Sequence, residues 1–358
     1  QMLRRPPEIL ITTPESLNLL LTSPQARTML STVRTLILDE IHAVFDSKRG
    51  TYLMTAVERL ALLAGEFQRI ALSATVNPLE TVADFVGGFK QLDAAAAPEY
   101  VKRPVEIASS RIAKRYEIRV RYPLEAASRP SSESLWDSLV GTFKTEIGRN
   151  RSTLVFVNNR RLCEQIVLKI NRDESEPLAY AHHGSLAREI RQTVESHLKS
   201  GRLKAIVATK SLELGIDIGP LDEVLLVQSP PSLSAAIQRI GRAGHQVGRT
   251  SRGSLYPTHP RDFLEAAVLA QHLPDQAIEP KQPVHAPLDV LAQVIVAMTG
   301  VDTWDVDDLY HHIKTCYAYR DLPRKQFDLV LQMLAGKYAM SRLRDLKPRV
   351  AIDGITNT

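Results

Sequence analysis

Residues 33–42, Val33-Arg34-Thr35-Leu36-Ile37-Leu38-Asp39-Glu40-Ile41-His42, decide how this sequence is read. Thr35 to Leu38 is a short run of leucine and β-branched residues, the pattern of a strand buried on both faces. It ends in two adjacent carboxylates and, two positions on, a histidine. Acids at the C-terminal end of a buried parallel strand lie where open α/β sheets form their ligand crevice. One such carboxylate can hold a Mg²⁺ that bridges nucleotide phosphates, and the other can orient or deprotonate an attacking water. A strand that merely ends in solvated acids reads the same way, so the pattern downstream has to decide.

The bulk properties set wide bounds. A chain of 358 residues suits two or three domains. Hydrophobic residues at 44% and charged residues at 24% are values of a globular protein. The net charge of +5 and the pI of about 9.1 permit a polyanionic partner without requiring one. Cys163 and Cys316 stand far apart, with no Cys/His ligand spacing, which argues against a zinc site or disulfide framework and fits a reducing, cytoplasmic setting. No apolar run reaches the length of a membrane span.

Outward from the acidic strand, the chain alternates strands and helices. Glu8–Thr12 reads as a strand, and Thr12 or Thr13 can cap a helix over Pro14–Leu21, with Pro14 and Glu15 suited to its first turn. Free N–H groups at such a helix start bind phosphates. Tyr52–Ala64 is helical. Gln68–Leu72 is a further strand ending in Ser73-Ala74-Thr75, whose hydroxyls can reach the acids of the neighbouring strand end. Asn77–Phe85 is helical, and alternation returns in Tyr116–Tyr122 within a segment rich in arginine. Ala126–Ser134 is a linker candidate.

The theme then repeats. Leu135–Ile147 is an amphipathic helix, and Ser152–Val157 is a buried strand ending at Asn158-Asn159-Arg160-Arg161. Ala179–His182 ends at a His-His-Gly-Ser turn, and Ala205–Ala208 runs into Thr209-Lys210-Ser211-Leu212-Glu213-Leu214-Gly215-Ile216-Asp217. Val224–Val227 leads through Pro230-Pro231 to a helix carrying Gln238-Arg239-Ile240-Gly241-Arg242-Ala243-Gly244-His245. Its two arginines are three apart, on one helical face. Arginine presents a fixed fork of donors suited to charge on a transferring phosphoryl group.

These runs, TPE, DEIH, SAT, NNRR, ATKSLELGID and QRIGRAGH, resemble motifs Ib, II, III, IV, V and VI of superfamily 2 helicases. They stand in that family's order over residues 9–246. The chain is most similar to the large helicase-related (Lhr) family of DNA-dependent ATPases and helicases. That resemblance implies an α/β fold of two RecA-like lobes with parallel sheets, followed by a winged-helix domain. The first lobe occupies 1–130 and is N-terminally incomplete, the second occupies 131–260, a connector and winged helix 261–352, and a further module starts at 353–358.

Position by position, the resemblance implies that Asp39 holds Mg²⁺ through water, Glu40 is the general base, and His42 couples the nucleotide site to its surroundings. Ser73 and Thr75 would link hydrolysis to strand movement. Gly215 and Asp217 would serve nucleotide contact and lobe coupling, and Gln238 would contact the nucleotide or motif II. Arg239 and Arg242 would reach the γ-phosphate. Thr13, Asn158, Arg160 and Thr209 would lie along the nucleic-acid track. The implied cofactors are ATP and Mg²⁺, and the implied partner is single-stranded DNA or a DNA-containing duplex. Salt-dependent, sequence-independent binding would follow. Repair in the nucleoid is a family-level expectation.

One departure stands out: the sequence holds no GxxxxGK[ST] and no glycine before Gly50. The phosphate loop is expected upstream of Thr13, so the reading is of a first lobe left incomplete. On that reading this polypeptide alone is inactive as an ATPase and its parent is active. After the lobes, Leu288–Thr299, Val306–Tyr317 and Arg324–Ala335 read as three helices. Tyr338-Ala339-Met340 and Val350-Ala351-Ile352 read as a two-stranded wing. Trp304, Tyr310, Tyr317 and Tyr319 read as core. The alternatives are an RNA helicase of the same superfamily, and an ATP-independent nucleic-acid-binding protein on a helicase scaffold.

Overall fold

A computed structural model describes residues 2, 5–92, 98–109, 115–123, 132–213, 219–244, 250–337 and 347–358. The chain forms two compact units, one of Gln1–Ser109 with Pro280–Thr358 and one of Ser110–Glu279.

The first unit opens with helices α1 (Pro14–Leu20) and α2 (Pro24–Leu30), each begun by a proline that fits the first helical turn. Strand β1 (Thr35–Leu38) follows, then a short 3₁₀ turn at Ile41–Ala43 and the long helix α3 (Lys48–Ala64). Strand β2 (Gln68–Ala71) lies parallel to β1 with Leu38 opposite Ala71. Helix α4 (Leu79–Gly87) leads to an antiparallel hairpin of β3 (Phe89–Leu92) and β4 (Glu99–Lys102).

Two expectations fail here. Glu8–Thr12 is not a strand, and Ile9 and Ile11 are exposed. Nor is β1 buried on both faces. Leu36 and Leu38 face the core, whereas Ile37, one residue out of phase, is 59% exposed. Among the described residues β1 has one strand neighbour, β2, and the face that carries Ile37 is left uncovered.

The second unit is a six-stranded, wholly parallel sheet. It contains β5 (Tyr116–Val120), α5 (Ser132–Arg149), β6 (Thr153–Val157), α6 (Arg160–Asn171), β7 (Ala179–His182), α7 (Arg188–Lys199), β8 (Ala205–Ala208), β9 (Glu223–Val227), α8 (Leu233–Ile240), β10 (Ser251–Tyr256) and α9 (Pro260–His272). The strand order is β5-β10-β9-β6-β8-β7. Alternate residues of each inner strand feed opposite layers. Leu154 and Phe156 pack under α7, α8 and α9, while Val155 and Val157 pack under α5 and α6. That double covering explains why β6 and β8 read as near-continuous apolar runs. At β10, Gly253 admits α8 closely: a Cβ there would meet Ile240 Cγ1 at 2.8 Å. Tyr116–Tyr122, read with the first lobe, instead supplies β5 at the edge of this sheet, because its partner β10 comes 135 residues later in the chain (Ser251 opposite Tyr116) and no local spacing signals it.

The chain then returns to the first unit with α10 (Leu288–Thr299), α11 (Val306–Ile313) and α12 (Arg324–Leu334). These three helices share one core with α3, α4 and β1: Met54, Val57 and Phe85 pack with Leu291, Ile295, Ile313 and Phe327. Tyr319 is fully buried and donates to the Pro287 carbonyl at 2.8 Å, and Tyr310 donates to the Leu322 carbonyl at 2.7 Å. The expected wing is not seen at Val350–Ile352, which is not a strand, and Tyr338–Met340 lies outside the described residues.

Candidate nucleotide and nucleic-acid site

In the first unit the site grows from the end of β1. Asp39 is exposed, and its Oδ1 accepts the Glu40 backbone N–H at 3.0 Å. Glu40 takes a left-handed conformation (φ 51°, ψ 44°), which non-glycine residues rarely adopt. The backbone therefore turns sharply where the second carboxylate is displayed. Ile41 N–H then donates to the Leu72 carbonyl at 3.1 Å, closing the turn onto the end of β2.

His42 is buried behind the carboxylates. Its Nδ1 lies 3.1 Å from Ser73 Oγ and 3.4 Å from Glu40 Oε2. The hydroxyl after β2 thus meets the histidine, not the acids as the sequence suggested. Thr75, two residues on, is buried.

The TPE run is organised as a helix start. Thr13 Oγ1 accepts the Ser16 N–H at 3.3 Å, satisfying an otherwise orphan donor. Glu15 pairs with Arg49 through both oxygens, at 2.7 and 3.1 Å, and this guanidinium holds its carboxyl down at about 2. The pair fastens α1 to α3.

A buried ion-pair cluster braces the same elements. Glu58 on α3 accepts from Arg69 at 2.7 Å and from Arg103 at 3.2 Å, and Arg69 also donates to the Val86 and Gly87 carbonyls. Burial pushes the Glu58 carboxyl upward, against the pull of Arg69.

In the second unit the strand ends carry the remaining residues. Asn158, just past β6, donates through Nδ2 to the Ser229 carbonyl at 2.9 Å. Its Oδ1 accepts from Arg239 Nη1 at 3.0 Å. Arg239 also bonds Glu213 through Nε at 3.1 Å and lies over the Phe156 ring at 5.4 Å. It is 4% exposed, its guanidinium turned inward.

Helix α8 ends at Ile240, so Arg242 stands in the turn beyond it and not on a helical face. Its Nη2 donates to the Glu213 carbonyl at 2.6 Å, and its side chain remains partly exposed. Gln238 reaches Ser234 Oγ at 3.5 Å. Arg160 is exposed at the start of α6, with no ion-pair partner among the described residues. Thr209 is half-buried and its N–H donates to the His182 carbonyl at 3.2 Å. Gly215 and Asp217 lie outside the described residues.

Two features escaped the sequence reading. Glu213 is the hub that both motif arginines share, and only its membership of the same run could have marked it. The adjacent histidines of the His-His-Gly-Ser turn diverge. His182 bridges Ser211 and Glu195 at 2.9 and 2.8 Å, and His183 meets Glu164 at 2.6 Å. Burial holds the His182 imidazole below its ordinary range despite Glu195. The Cys163 thiol is a core group, donating to the Val207 carbonyl and pushed up to about 12 by burial.

Fold and strand-end chemistry together define a RecA-like helicase core with a helical C-terminal domain. Family models agree along the chain: a DEAD/DEAH box helicase domain matches residues 1–85 and a helicase conserved C-terminal domain matches 134–247. The winged helix domain of large helicase-related proteins matches 271–357. The chain belongs to the large helicase-related (Lhr) family of superfamily 2. It is 39% identical to the ATP-dependent helicase Lhr-Core of Methanothermobacter thermautotrophicus, over 99% of this chain and 40% of that one. It is 38% identical to the Lhr helicase/uracil glycosylase of Escherichia coli, over 98% of this chain and 25% of that one. The structure of Mycobacterium smegmatis helicase Lhr bound to ssDNA and AMP-PNP superposes with a TM-score of 0.88 at 40% identity, covering 99% of this chain and 45% of that one. The chain thus spans a quarter to under half of the length of these relatives. No helix among the described residues is long and apolar enough to cross a membrane.

Proposed function

We propose that this chain is part of an ATP-dependent DNA translocase or helicase, working on single-stranded DNA or a DNA-containing duplex in the cytoplasm and on the nucleoid. The observation that carries the reading is the end of β1: two carboxylates displayed by a left-handed turn, with His42 tied to Ser73 at the end of the adjacent parallel strand. The relatives' own descriptions, ATP-dependent helicases and one bound to ssDNA and AMP-PNP, support it.

The donor set at β1 fits a hard cation. Asp39 offers exposed carboxylate oxygen, and it would hold Mg²⁺ through water, the metal neutralising phosphate charge when bound. Glu40 would take the proton of the attacking water. His42, fixed by Ser73, would report the state of that carboxylate to the strand end beyond β2. In the second unit, Arg242 keeps partial exposure and would be the arginine that reaches a phosphoryl group. Arg239 would act one step removed, holding Asn158 and Glu213 in place. Asn158, Arg160 and Thr209, at the strand ends, together with Thr13 at the start of α1, would meet the nucleic-acid backbone, which a helicase grips without reading bases.

The test is ATP turnover by the protein as its gene encodes it, without nucleic acid, with single-stranded DNA, and with single-stranded RNA. Stimulation by DNA well above that by RNA supports the proposal. Stronger stimulation by RNA overturns the substrate, and silence in every condition overturns the motor.

A further inference from the structure

A cavity of about 140 Å³ lies within the first unit, lined by Leu21, Arg27, Arg59, Met298, Asp302 and Trp304 among others. None of its lining residues belongs to the site described above. The walls come from the helices around α3 on one side and from the end of α10 on the other.

Its charges do not balance. Asp302 is committed to Arg27, 2.7 Å from Nη1. Arg59 is 7% exposed, and its one hydrogen bond runs from Nη1 to the neutral Asn18 amide oxygen at 3.1 Å. No carboxylate among the described residues pairs with it. A buried guanidinium whose only partner is neutral is costly to keep. Its Nε and Nη2 have no partner among the described residues, yet they are not among the nitrogens sealed from solvent. The cavity is the void that Arg59 lines, so those donors have somewhere to point.

We propose that this cavity binds a phosphate group, held by Arg59 with Arg27 beside it. The arginine fork matches tetrahedral oxyanions and binds them with two or more parallel bonds. The volume is well above the roughly 10–15 Å³ of such space that a single water needs, so a phosphate group can be accommodated. Burial already holds the Arg59 guanidinium down at about 10, and a bound anion would relieve that penalty. The occupant is free phosphate or the terminal phosphate of a nucleic-acid strand. Either would tie α2 and α3 to α10 and so brace the C-terminal helices against the lobe. The proposal uses no residue of the helicase reading and stands or falls apart from it.

Trp304 in the wall is a built-in reporter, and the chain's one other tryptophan is Trp136. In a Trp136→Phe background, fluorescence would be followed against inorganic phosphate, against chloride at matched ionic strength, and against a short oligonucleotide with and without a 5′-phosphate. The expected result is a saturable change with phosphate or with the 5′-phosphorylated strand only. Arg59→Gln should weaken it by about tenfold or more. Because Arg59→Gln also breaks the bond to Asn18, Asp302→Asn gives an independent check, and losing that carboxylate should tighten binding. The same change with chloride, no saturable response to either phosphate source, or a response unaltered in both variants would overturn the proposal.

Discussion

Arg239 Nη1 donates to Asn158 Oδ1 at 3.0 Å, joining the second arginine-bearing motif to the end of the central strand β6. The amide is held from both sides, since its nitrogen donates to the Ser229 carbonyl. With Glu213 on its Nε and Phe156 beneath its plane, Arg239 is built into the second unit. Its neighbour Arg242 keeps a partly exposed side chain and donates to the Glu213 backbone carbonyl. The two arginines therefore answer to different measurements.

Arg239→Met should lower the stability of the second unit by about 3 kcal/mol, because Glu213 is left as a nearly buried charge without its partner. Arg242→Ala should cost less, about 1 kcal/mol, because its side chain is partly exposed and its loss takes a donor from the Glu213 backbone carbonyl and not a partner from a buried charge. Urea denaturation of both variants checks the difference. On turnover the order should reverse in kind: Arg242→Ala abolishes it in a protein that is still folded. Equal destabilisation by the two would remove the distinction.

Ser73→Ala should leave the fold intact, since Ser73 is exposed, while it removes the hydroxyl 3.1 Å from His42 Nδ1. The expected loss is in stimulation of ATP turnover by nucleic acid, with unstimulated turnover changed less. A basal rate that falls as far as the stimulated one would assign Ser73 to the chemistry and not to coupling.

Glu58→Ala should destabilise the first unit by about 3 kcal/mol, because it leaves Arg69 buried without its carboxylate, whereas Arg103 keeps its pair with Glu66 at 2.9 and 3.0 Å. Glu58→Gln keeps the hydrogen-bond acceptor and should cost less. A thermal or urea midpoint within error of wild type for Glu58→Ala would show that the cluster contributes nothing net.

Acid should weaken the first unit through His312. Burial, and then Arg59 and Arg103, hold its imidazole down at about 4, and its Nε2 is sealed without a partner among the described residues. The unfolded chain takes up this proton near the ordinary 6.5. The contribution is therefore fully present above pH 6.5 and is lost as pH falls toward 4, where the folded state also binds the proton. His312→Gln should flatten the fall in stability between pH 7 and pH 5 by on the order of 2 kcal/mol. A variant that tracks wild type across that range would contradict the assignment.

What the sequence carried best was what depends on near neighbours. The runs of β6 and β8 are buried at every position and almost wholly apolar because helices cover both faces, and each ends where its motif begins. The capping of α1 by Thr13 and the limits of α10 and α12 follow from local signals such as Pro14, Pro287 and Pro323. What it missed depends on distant partners. Tyr116–Val120 alternates like any strand, and only its pairing with Ser251–Leu255 says to which sheet it belongs. Ile9 and Ile11 read as a strand, but a strand needs a neighbour, and none is present among the described residues.

The same holds at the site. Asp39, Glu40 and His42 were legible because their spacing is fixed by the end of one strand. The inward turn of Arg239 and the central place of Glu213 were not, because they arise from three segments, near residues 158, 213 and 239, that only the folded sheet brings together. The hydroxyls after β2 pointed to a contact across the strand ends, and for Ser73 that contact is with the histidine.

ATP turnover with single-stranded DNA, measured in the protein as its gene encodes it with wild type beside Glu40→Gln, decides whether Glu40 is the base of an ATP-hydrolysing site. The substitution keeps shape and removes the proton acceptor, so turnover should fall by about 100-fold or more while ATP binding is retained. A Glu40→Gln variant that turns over ATP within a few-fold of wild type would contradict the account.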